Sequence, residues 1–475
     1  MKHRLFAFVC VAVACLTAGA AAPTDTLTQG PVLTLDDCLR IALSDNPTVK
    51  VADMEVERMD YSRIETLSQL LPQISFSGSY NRMLAKQVMY MNMDLGDFGF
   101  GGAGSEGDEG GEAQQSRAGK SGGDGGIKVG LDNSYQVGFS ASMPLVAPQL
   151  WAALKLSDTQ ILQAVEQSRA SRLDLVNQIK SAYYALQLAE DSRRVIQESY
   201  DMAALTHDIY TKKFAAGAAS EFEVLRTSVA MKNIEPQMIQ ADIAIKQARL
   251  QLLILMGLDT NVEFNTAGTL SQYESTMYGD VLQMTNPDYS GNSQLKLFDI
   301  QDLQARQALK VQRASVWPTI SAMANYNWTS MSNGSPFKNF RWNPYSVVGL
   351  TLNVPLFTGG SRYSKIRQAE VQVGEMALQR ENLDRSISMQ VDLSVENINM
   401  NVKQIASASE SVGQATRAHD IMEKSFAIGA ASYLDLRDSE LALTQSRLAY
   451  YQAIYNYLVA RSNLELLLGT APLEY

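Results

Sequence analysis

Two histidines in matching positions are the first residues of this sequence whose types and spacing could do chemistry. His207 and His419 lie 212 residues apart, and each is followed by an aspartate. Imidazole titrates near neutral pH and binds transition metals, so these pairs could hold a metal ion or sense pH. The alternative is that both histidines are buried polar residues at helix-packing positions. We favour this alternative, because each falls in step with neighbours spaced three and four residues away.

Catalytic chemistry has little support elsewhere in the chain. Besides these two histidines the sequence has only His3, and it contains no nucleophile motif, metal-ligand spacing or phosphate-binding loop. Acid pairs occur by chance in a chain with 50 acidic residues. The sequence therefore predicts a protein that is not an enzyme and that needs no metal or cofactor.

Residues 1–20 predict a secretory signal peptide, because a basic start and an apolar run precede small residues typical of a cleavage site. Lipidation of Cys15 is the alternative, on a poor consensus. Removing this segment takes away Lys2 and Arg4 and changes the net charge from −10 to −12. An acidic exported protein is an improbable partner for nucleic acid. Cys38 then remains alone, so no internal disulfide is expected.

The chain contains the same plan twice. FAAGAAS at residues 214–220 recurs as FAIGAAS at 426–432, and three further pairs of segments recur in the same order. A period of more than 200 residues indicates an internal duplication rather than a solenoid. The boundaries that we predict are 21–260 for the first repeat and 261–475 for the second.

Each repeat carries two segments in which apolar and small polar residues alternate. They are predicted at about 72–90 and 134–147 in the first repeat and at about 317–330 and 344–357 in the second. Alternation over about ten residues is typical of membrane-barrel strands. A half-buried sheet in a soluble sandwich is the alternative. The glycine-rich acidic segment 94–133 lies between the first two strands and predicts a surface loop.

Long helices follow the strands. Proline-free stretches at about 149–213 and 361–425 predict helices of roughly 65 residues, and apolar residues three and four apart predict coiled-coil packing. The tips at 214–220 and 426–432 predict turns, after which return helices run back. Shorter helices before the strands would stack end to end on the return helices. These helices are expected at 221–256 and 433–468 for the return, and at 47–71 and 291–316 for the shorter pair.

Four strands cannot close a membrane barrel, for which eight is the usual minimum. An open sheet edge in lipid would leave backbone groups unpaired. Several chains must therefore pool their strands, and counting alone allows two or more.

The order of these motifs resembles the TolC-type outer-membrane factor family. The resemblance rests on LPQIS and WPTIS before the strands, PLFTGGSRYSKIRQAE at 355–370, the two FAxGAAS tips and the terminal NLELLLG. It implies a mainly helical protein with membrane strands, assembled as a trimer. A 12-stranded outer-membrane barrel would continue into a 12-helix periplasmic coiled-coil tunnel.

The resemblance also implies partners and site residues. A homotrimer in outer-membrane lipid would meet a periplasmic membrane-fusion adaptor, which links it to an inner-membrane pump of the resistance-nodulation-division or ABC type. The tips would bind the adaptor, because their small residues let helices approach closely. The tip residues are Gly217, Ala218, Ala219 and Ser220, with Gly429, Ala430, Ala431 and Ser432 in the second repeat.

The family's periplasmic aperture is narrowed by aspartate rings, which map by position to Asp435 and Asp438. Three chains would bring six carboxylates to the constriction and favour cations. The alternative is that acids in a first helical turn only offset the helix dipole. The first-repeat counterparts are Glu223 and Arg226. The arginine that latches the family's closed state is replaced by Ala431.

The sequence thus predicts the exit duct of a tripartite efflux or type I secretion system, which passes small molecules or polypeptides out of the cell. Two alternatives stay open. One is a soluble or surface-attached coiled-coil scaffold, and the other is a diffusion pore that works without an adaptor.

Overall fold

The structure is a computed structural model, and it describes residues 31–89, 127–129, 131–274, 277, 287–333 and 341–472. The predicted signal peptide and most of the glycine-rich segment 94–133 lie outside these residues. In chain order the elements are β1 (Val32–Leu33), α1 (Leu35–Asp45), α2 (Pro47–Ser68), β2 (Gln73–Arg82), β3 (Gln87–Met89), β4 (Ile127–Val129), β5 (Asn133–Val146), α3 (Pro148–Ala215), α4 (Glu221–Lys232), α5 (Glu235–Met256), β6 (Asn265–Thr266), α6 (Ser293–Ala314), β7 (Thr319–Ser332), β8 (Asn343–Asn353), α7 (Ser361–Ala427) and α8 (Tyr433–Leu468).

No helix in the described part of the chain is both long and apolar enough to cross a membrane.

The four long strands form one antiparallel sheet in the order β2-β5-β7-β8. The central pair, β5 and β7, joins a strand of the first repeat to a strand of the second. Within the described residues, β2 and β8 are the edges and have no further partner. The sheet is therefore shared by both repeats and is open on both sides.

The register gives this sheet a continuous apolar face. Ala141 lies between Ile74 and Ala324, and Ala324 pairs in turn with Val348. Ile74 is 74% exposed and Val348 is 84% exposed. Polar or small residues such as Ser75, Ser140 and Asn325 predominate on the other face, to which β8 adds Val347. The alternation predicted from the sequence thus produces an uncovered apolar surface, which marks a site of contact with lipid or protein.

Two of the strands end earlier than the sequence pattern predicted. β8 ends at Asn353 rather than near residue 357, because Pro355 has no N–H to donate to the ladder. β2 ends at Arg82 rather than near residue 90, and a separate short strand, β3, begins at Gln87.

The long helices α3 and α7 contain 68 and 67 residues, close to the predicted length. The return helix of the second repeat, α8, is continuous over 36 residues. Its counterpart in the first repeat is divided into α4 and α5, whereas a single helix over 221–256 was predicted. The interruption at Asn233 and Ile234 precedes Pro236, which lacks an N–H and whose ring would clash with the carbonyl of Lys232 in a continuous helix.

Asn46 and Asn292 join helices end to end in the two repeats. The side-chain Nδ2 of Asn46 donates to the carbonyl of Leu255 (2.7 Å), and that of Asn292 donates to the carbonyl of Leu467 (2.6 Å). In both residues the side-chain oxygen accepts the backbone N–H two residues further on, in the first turn of the next helix. Each asparagine therefore connects the end of a return helix to the start of a shorter one.

The chain divides into two compact units, and both units contain parts of both repeats. Of the described residues, one unit comprises 31–55, 164–274, 277, 287–298 and 380–472. It contains the hydrophobic core, with Leu173, Tyr183, Leu252 and Tyr457 almost completely buried. The other comprises Val56–Gln163 and Asp299–Gln379 and contains the four-stranded sheet. The two compact units therefore do not coincide with the predicted repeats 21–260 and 261–475, whose strands share one sheet.

Candidate functional site

The two helical tips have the same backbone geometry. Gly217 and Gly429 adopt φ angles of 73° and 77°, a region that favours glycine. The N–H of Ala218 donates to the carbonyl of Lys213 (2.7 Å), and the N–H of Ala430 donates to that of Ser425 (2.8 Å). These bonds are typical of a Schellman motif, in which glycine ends a helix and satisfies its last carbonyls.

A serine begins the return helix at each tip. The Oγ of Ser220 accepts the N–H of Glu223 (3.3 Å), and the N–H of Ser220 donates back to the Glu223 carboxylate (2.8 Å). Ser432 and Asp435 form the same reciprocal pair, at 3.3 and 3.1 Å. Both caps are capping boxes, which satisfy N–H groups that a helix start would otherwise leave unpaired.

These caps stabilise the charged form of the two carboxyl groups. Hydrogen bonds from the Ser432 hydroxyl and backbone lower the pKa of Asp435 below its usual value. The backbone and hydroxyl of Ser220 lower the pKa of Glu223 in the same way. Asp435 therefore carries a negative charge at neutral pH and also caps its own helix.

The tips offer open, small-residue surfaces. A Cβ atom built on Gly217 or Gly429 would have no neighbour within 4 Å. Ala218 and Ala430 are exposed, and Ala219 and Ala431 are half-buried. Another helix could thus approach the backbone at either tip closely.

Asp435 and Asp438 are both exposed near the start of α8. They are three residues apart, so their side chains share a helix face. The carboxylate of Asp435 accepts hydrogen bonds from Ser432. The counterpart of Asp438 in the first repeat is Arg226, whose guanidinium lies 5.1 Å from the ring centre of Tyr433. Each long helix, its tip and its return helix form a hairpin: α3 with α4 and α5 in the first repeat, and α7 with α8 in the second. The two hairpins therefore differ in charge at the level of Asp438 and Arg226.

A cluster of aromatic and basic residues joins the two hairpins, and it was not predicted from the sequence. The ring of Tyr210 in α3 lies 6.1 Å from that of Phe426 in α7 and 5.7 Å from that of Tyr433 in α8. The Nζ of Lys213 lies 5.4 Å from the ring centres of both Tyr210 and Phe426. It could have been predicted from the aromatic and basic residues that lie within about one helical turn of both FAxGAAS segments.

The two histidines make equivalent hydrogen bonds across their hairpins. The Nδ1 of His207 lies 3.0 Å from the hydroxyl of Thr227, and the Nδ1 of His419 lies 3.3 Å from that of Ser439. His419 is only 8% exposed. Across the described part of the chain, no group of three His, Cys, Asp or Glu side chains is arranged to hold a metal ion. The geometry supports the helix-packing interpretation of both residues.

Comparison with known proteins gives concordant matches. The profile of the family described as "Outer membrane efflux protein" matches residues 38–258 and 292–470. The cobalt-zinc-cadmium resistance protein CzcC of Cupriavidus metallidurans is 24% identical over 303 residues, which are 63% of this chain and 68% of CzcC. The outer membrane protein TolC of Vibrio cholerae is 22% identical over 343 residues, which are 70% of this chain and 76% of TolC.

The fold also matches a solved outer membrane protein. VceC of Vibrio cholerae superposes with a TM-score of 0.65 at 15% identity, over 92% of this chain and 96% of VceC. At this identity the likeness concerns the fold alone.

Proposed function

The chain belongs to the outer membrane efflux protein family, and we propose that it works as a trimeric exit duct that receives cargo from an adaptor and pump. The observation that carries this proposal is the open four-stranded sheet with its exposed apolar face. The family is one of outer-membrane channels, so transport by this chain needs no catalytic step.

The sheet edges support assembly from several copies. β2 and β8 each present unpaired backbone groups on the outer side, as far as the described residues extend. In lipid such groups must be paired, and pairing β2 of one copy with β8 of the next removes every edge. Three copies would give twelve strands, a number within the range of closed membrane barrels. Long helices from the same copies would then form the periplasmic tunnel.

The tips support docking of a periplasmic adaptor. Four small residues at each tip leave the backbone accessible: Gly217, Ala218, Ala219 and Ser220 in the first, and Gly429, Ala430, Ala431 and Ser432 in the second. An adaptor helix could pack there at short range. The adaptor would connect the duct to an inner-membrane pump, of either the resistance-nodulation-division or the ABC type.

The docking proposal can be tested by photo-crosslinking in cells. A photoreactive amino acid at Ala218 or Ala430 should yield an adduct with one periplasmic protein, whereas the same group at Glu410 should not. Glu410 is an exposed residue of α7, 19 positions before the tip glycine. Two results together would overturn the docking proposal and favour the self-standing pore. They are the absence of tip adducts in wild-type cells and continued transport in cells that lack every adaptor.

Asp435 and Asp438 support a cation-favouring constriction at the periplasmic end. Both carboxylates are exposed, and in a trimer symmetry would bring six of them together. The cap formed by Asp435 holds its carboxylate in a defined position at the helix start. Asp435 would thus serve both the helix cap and the aperture, whereas Asp438 would serve the aperture alone.

We propose that the cargo of the duct is a small molecule or a polypeptide. CzcC is named for resistance to cobalt, zinc and cadmium, and metal ions are therefore one cargo class to test. Cells lacking the chain should become sensitive to the exported compound or should retain the secreted polypeptide. Restoration by the wild-type gene would identify the cargo.

A further inference from the structure

A cavity lies between the two hairpins, close to the tips. Its volume is about 370 Å³. Helices α3, α7 and α8 line it, mostly with apolar side chains that include Met202, Leu205 and Leu436. Glu440 of α8 also lines the cavity. Its side chain is half-buried, and burial of a charge without a partner is costly.

Titratable groups from the other two helices line the cavity together with Glu440. Lys213 is contributed by α3, and His419 and Glu423 by α7. On its own helix, the charge of Arg437 acts on Glu440 and lowers its pKa. The Nζ of Lys213 lies over the Tyr210 and Phe426 rings instead.

Arg437 acts on Glu440 through its charge alone, and no direct contact compensates the carboxylate in the part of the chain that the structure describes. Neither a hydrogen bond nor an ion pair reaches its carboxylate there. Burial raises its pKa to about 7, Arg437 acts in the opposite direction, and Glu423 raises the pKa further. Glu440 therefore changes charge close to neutral pH.

We propose that the protonation of Glu440 controls how tightly the two hairpins pack near their tips. When Glu440 is neutral, the apolar lining of the cavity can close around it. When Glu440 is ionised, its charge must be hydrated and lies beside the carboxylate of Glu423. Alkaline conditions therefore loosen the contact of α8 with α3 and α7, and acidic conditions tighten it.

The direction in which pH changes the stability of the packed tip follows from the pKa of Glu440 in the packed and in the opened form. In a locally opened tip Glu440 returns to its ordinary pKa of 4.5, so the packed form holds the proton more strongly. The packed form is thus most favoured at acidic pH. It loses stability as the pH rises from about 4.5 to about 7, and it changes little above that range.

Hydrogen exchange of the detergent-purified protein tests the proposal without requiring transport. Wild type and Glu440→Gln are compared at the same pH, so that the intrinsic exchange rate cancels. At pH 8 we expect amides in residues 202–213 and 436–441 to exchange at least about tenfold more slowly in the variant. At pH 5 the two proteins should agree within about fivefold.

The controls separate charge from shape. Glu410→Gln removes an exposed carboxylate of α7 and should behave as wild type at both pH values. Glu440→Leu also removes the charge and repeats the measurement should the glutamine variant not fold. Equal exchange of wild type and variant at pH 8 would overturn the proposal. A difference of the same size at both pH values would also overturn it, because the effect would then not depend on protonation.

Discussion

Three single substitutions can separate the capping and electrostatic roles of the acids at the start of α8. Ser432→Ala removes the hydroxyl that accepts the N–H of Asp435 at 3.3 Å and donates to its carboxylate at 2.7 Å. Loss of an N-cap side chain costs about 1 kcal/mol. This corresponds to about fivefold faster opening of the first helical turn. The charge at the aperture stays unchanged in this variant.

Asp438→Asn makes the opposite change. Its side chain takes no part in the cap, so the helix start should keep its wild-type opening rate. One carboxylate per chain is lost, and the channel should become less selective for cations. Asp435→Asn should alter both properties, because this carboxylate caps the helix and also carries charge.

The two properties need two assays on the same purified proteins. Hydrogen exchange of residues 433–438 reports the cap, and the reversal potential of single channels in a potassium chloride gradient reports ion selectivity. We expect Ser432→Ala to change only exchange and Asp438→Asn to change only selectivity. A selectivity loss in Ser432→Ala equal to that in Asp438→Asn would refute the assignment. Unchanged ion flow in both aspartate variants would remove these residues from the aperture.

Three further predictions concern stability and reactivity. Asn46→Ala and Asn292→Ala should each lower the free energy of unfolding by about 2–3 kcal/mol, because each loses a cap and a buried helix-joining bond. Denaturant titration measures this change, and a loss below about 0.5 kcal/mol in both variants would show that these asparagines do not hold the helices together. Gly429→Ala should lower the free energy of unfolding by about 1–2 kcal/mol because of its positive φ, and Gly469→Ala should lower it further, because its Cβ would lie 2.1 Å from a backbone oxygen. Equal unfolding midpoints of the two variants would argue against this contact. Burial raises the pKa of the Cys38 thiol to about 12, so iodoacetamide at pH 8 should alkylate it about a thousandfold more slowly in the native than in the denatured protein; similar rates by mass spectrometry would show that the thiol is accessible.

Family membership confirms the efflux-duct function and the outer-membrane location that were predicted from the sequence. That prediction rested on the duplicated tips and the alternating strands, because both patterns are determined by residues that are close together in the sequence. Glycine at a helix end and alternation along a strand can both be recognised without knowing the tertiary fold.

Other features depend on contacts between distant residues and were not predictable. Asn46 and Asn292 bond carbonyls more than 170 positions away, and nothing in their local sequence indicates this. The division of both repeats between two compact units follows from the pairing of β5 with β7, which periodicity does not specify. The break before Pro236 could have been predicted, because proline has no N–H to donate and its ring clashes with the carbonyl four residues earlier in a continuous helix.

The most direct test of the central claim is electron microscopy of the detergent-purified protein, with the mass of the protein part measured by light scattering. The exit-duct account predicts about three times the mass of one chain and a threefold-symmetric tube that extends beyond the detergent micelle. A monomer that stays soluble without detergent, or a particle with another symmetry, would contradict it.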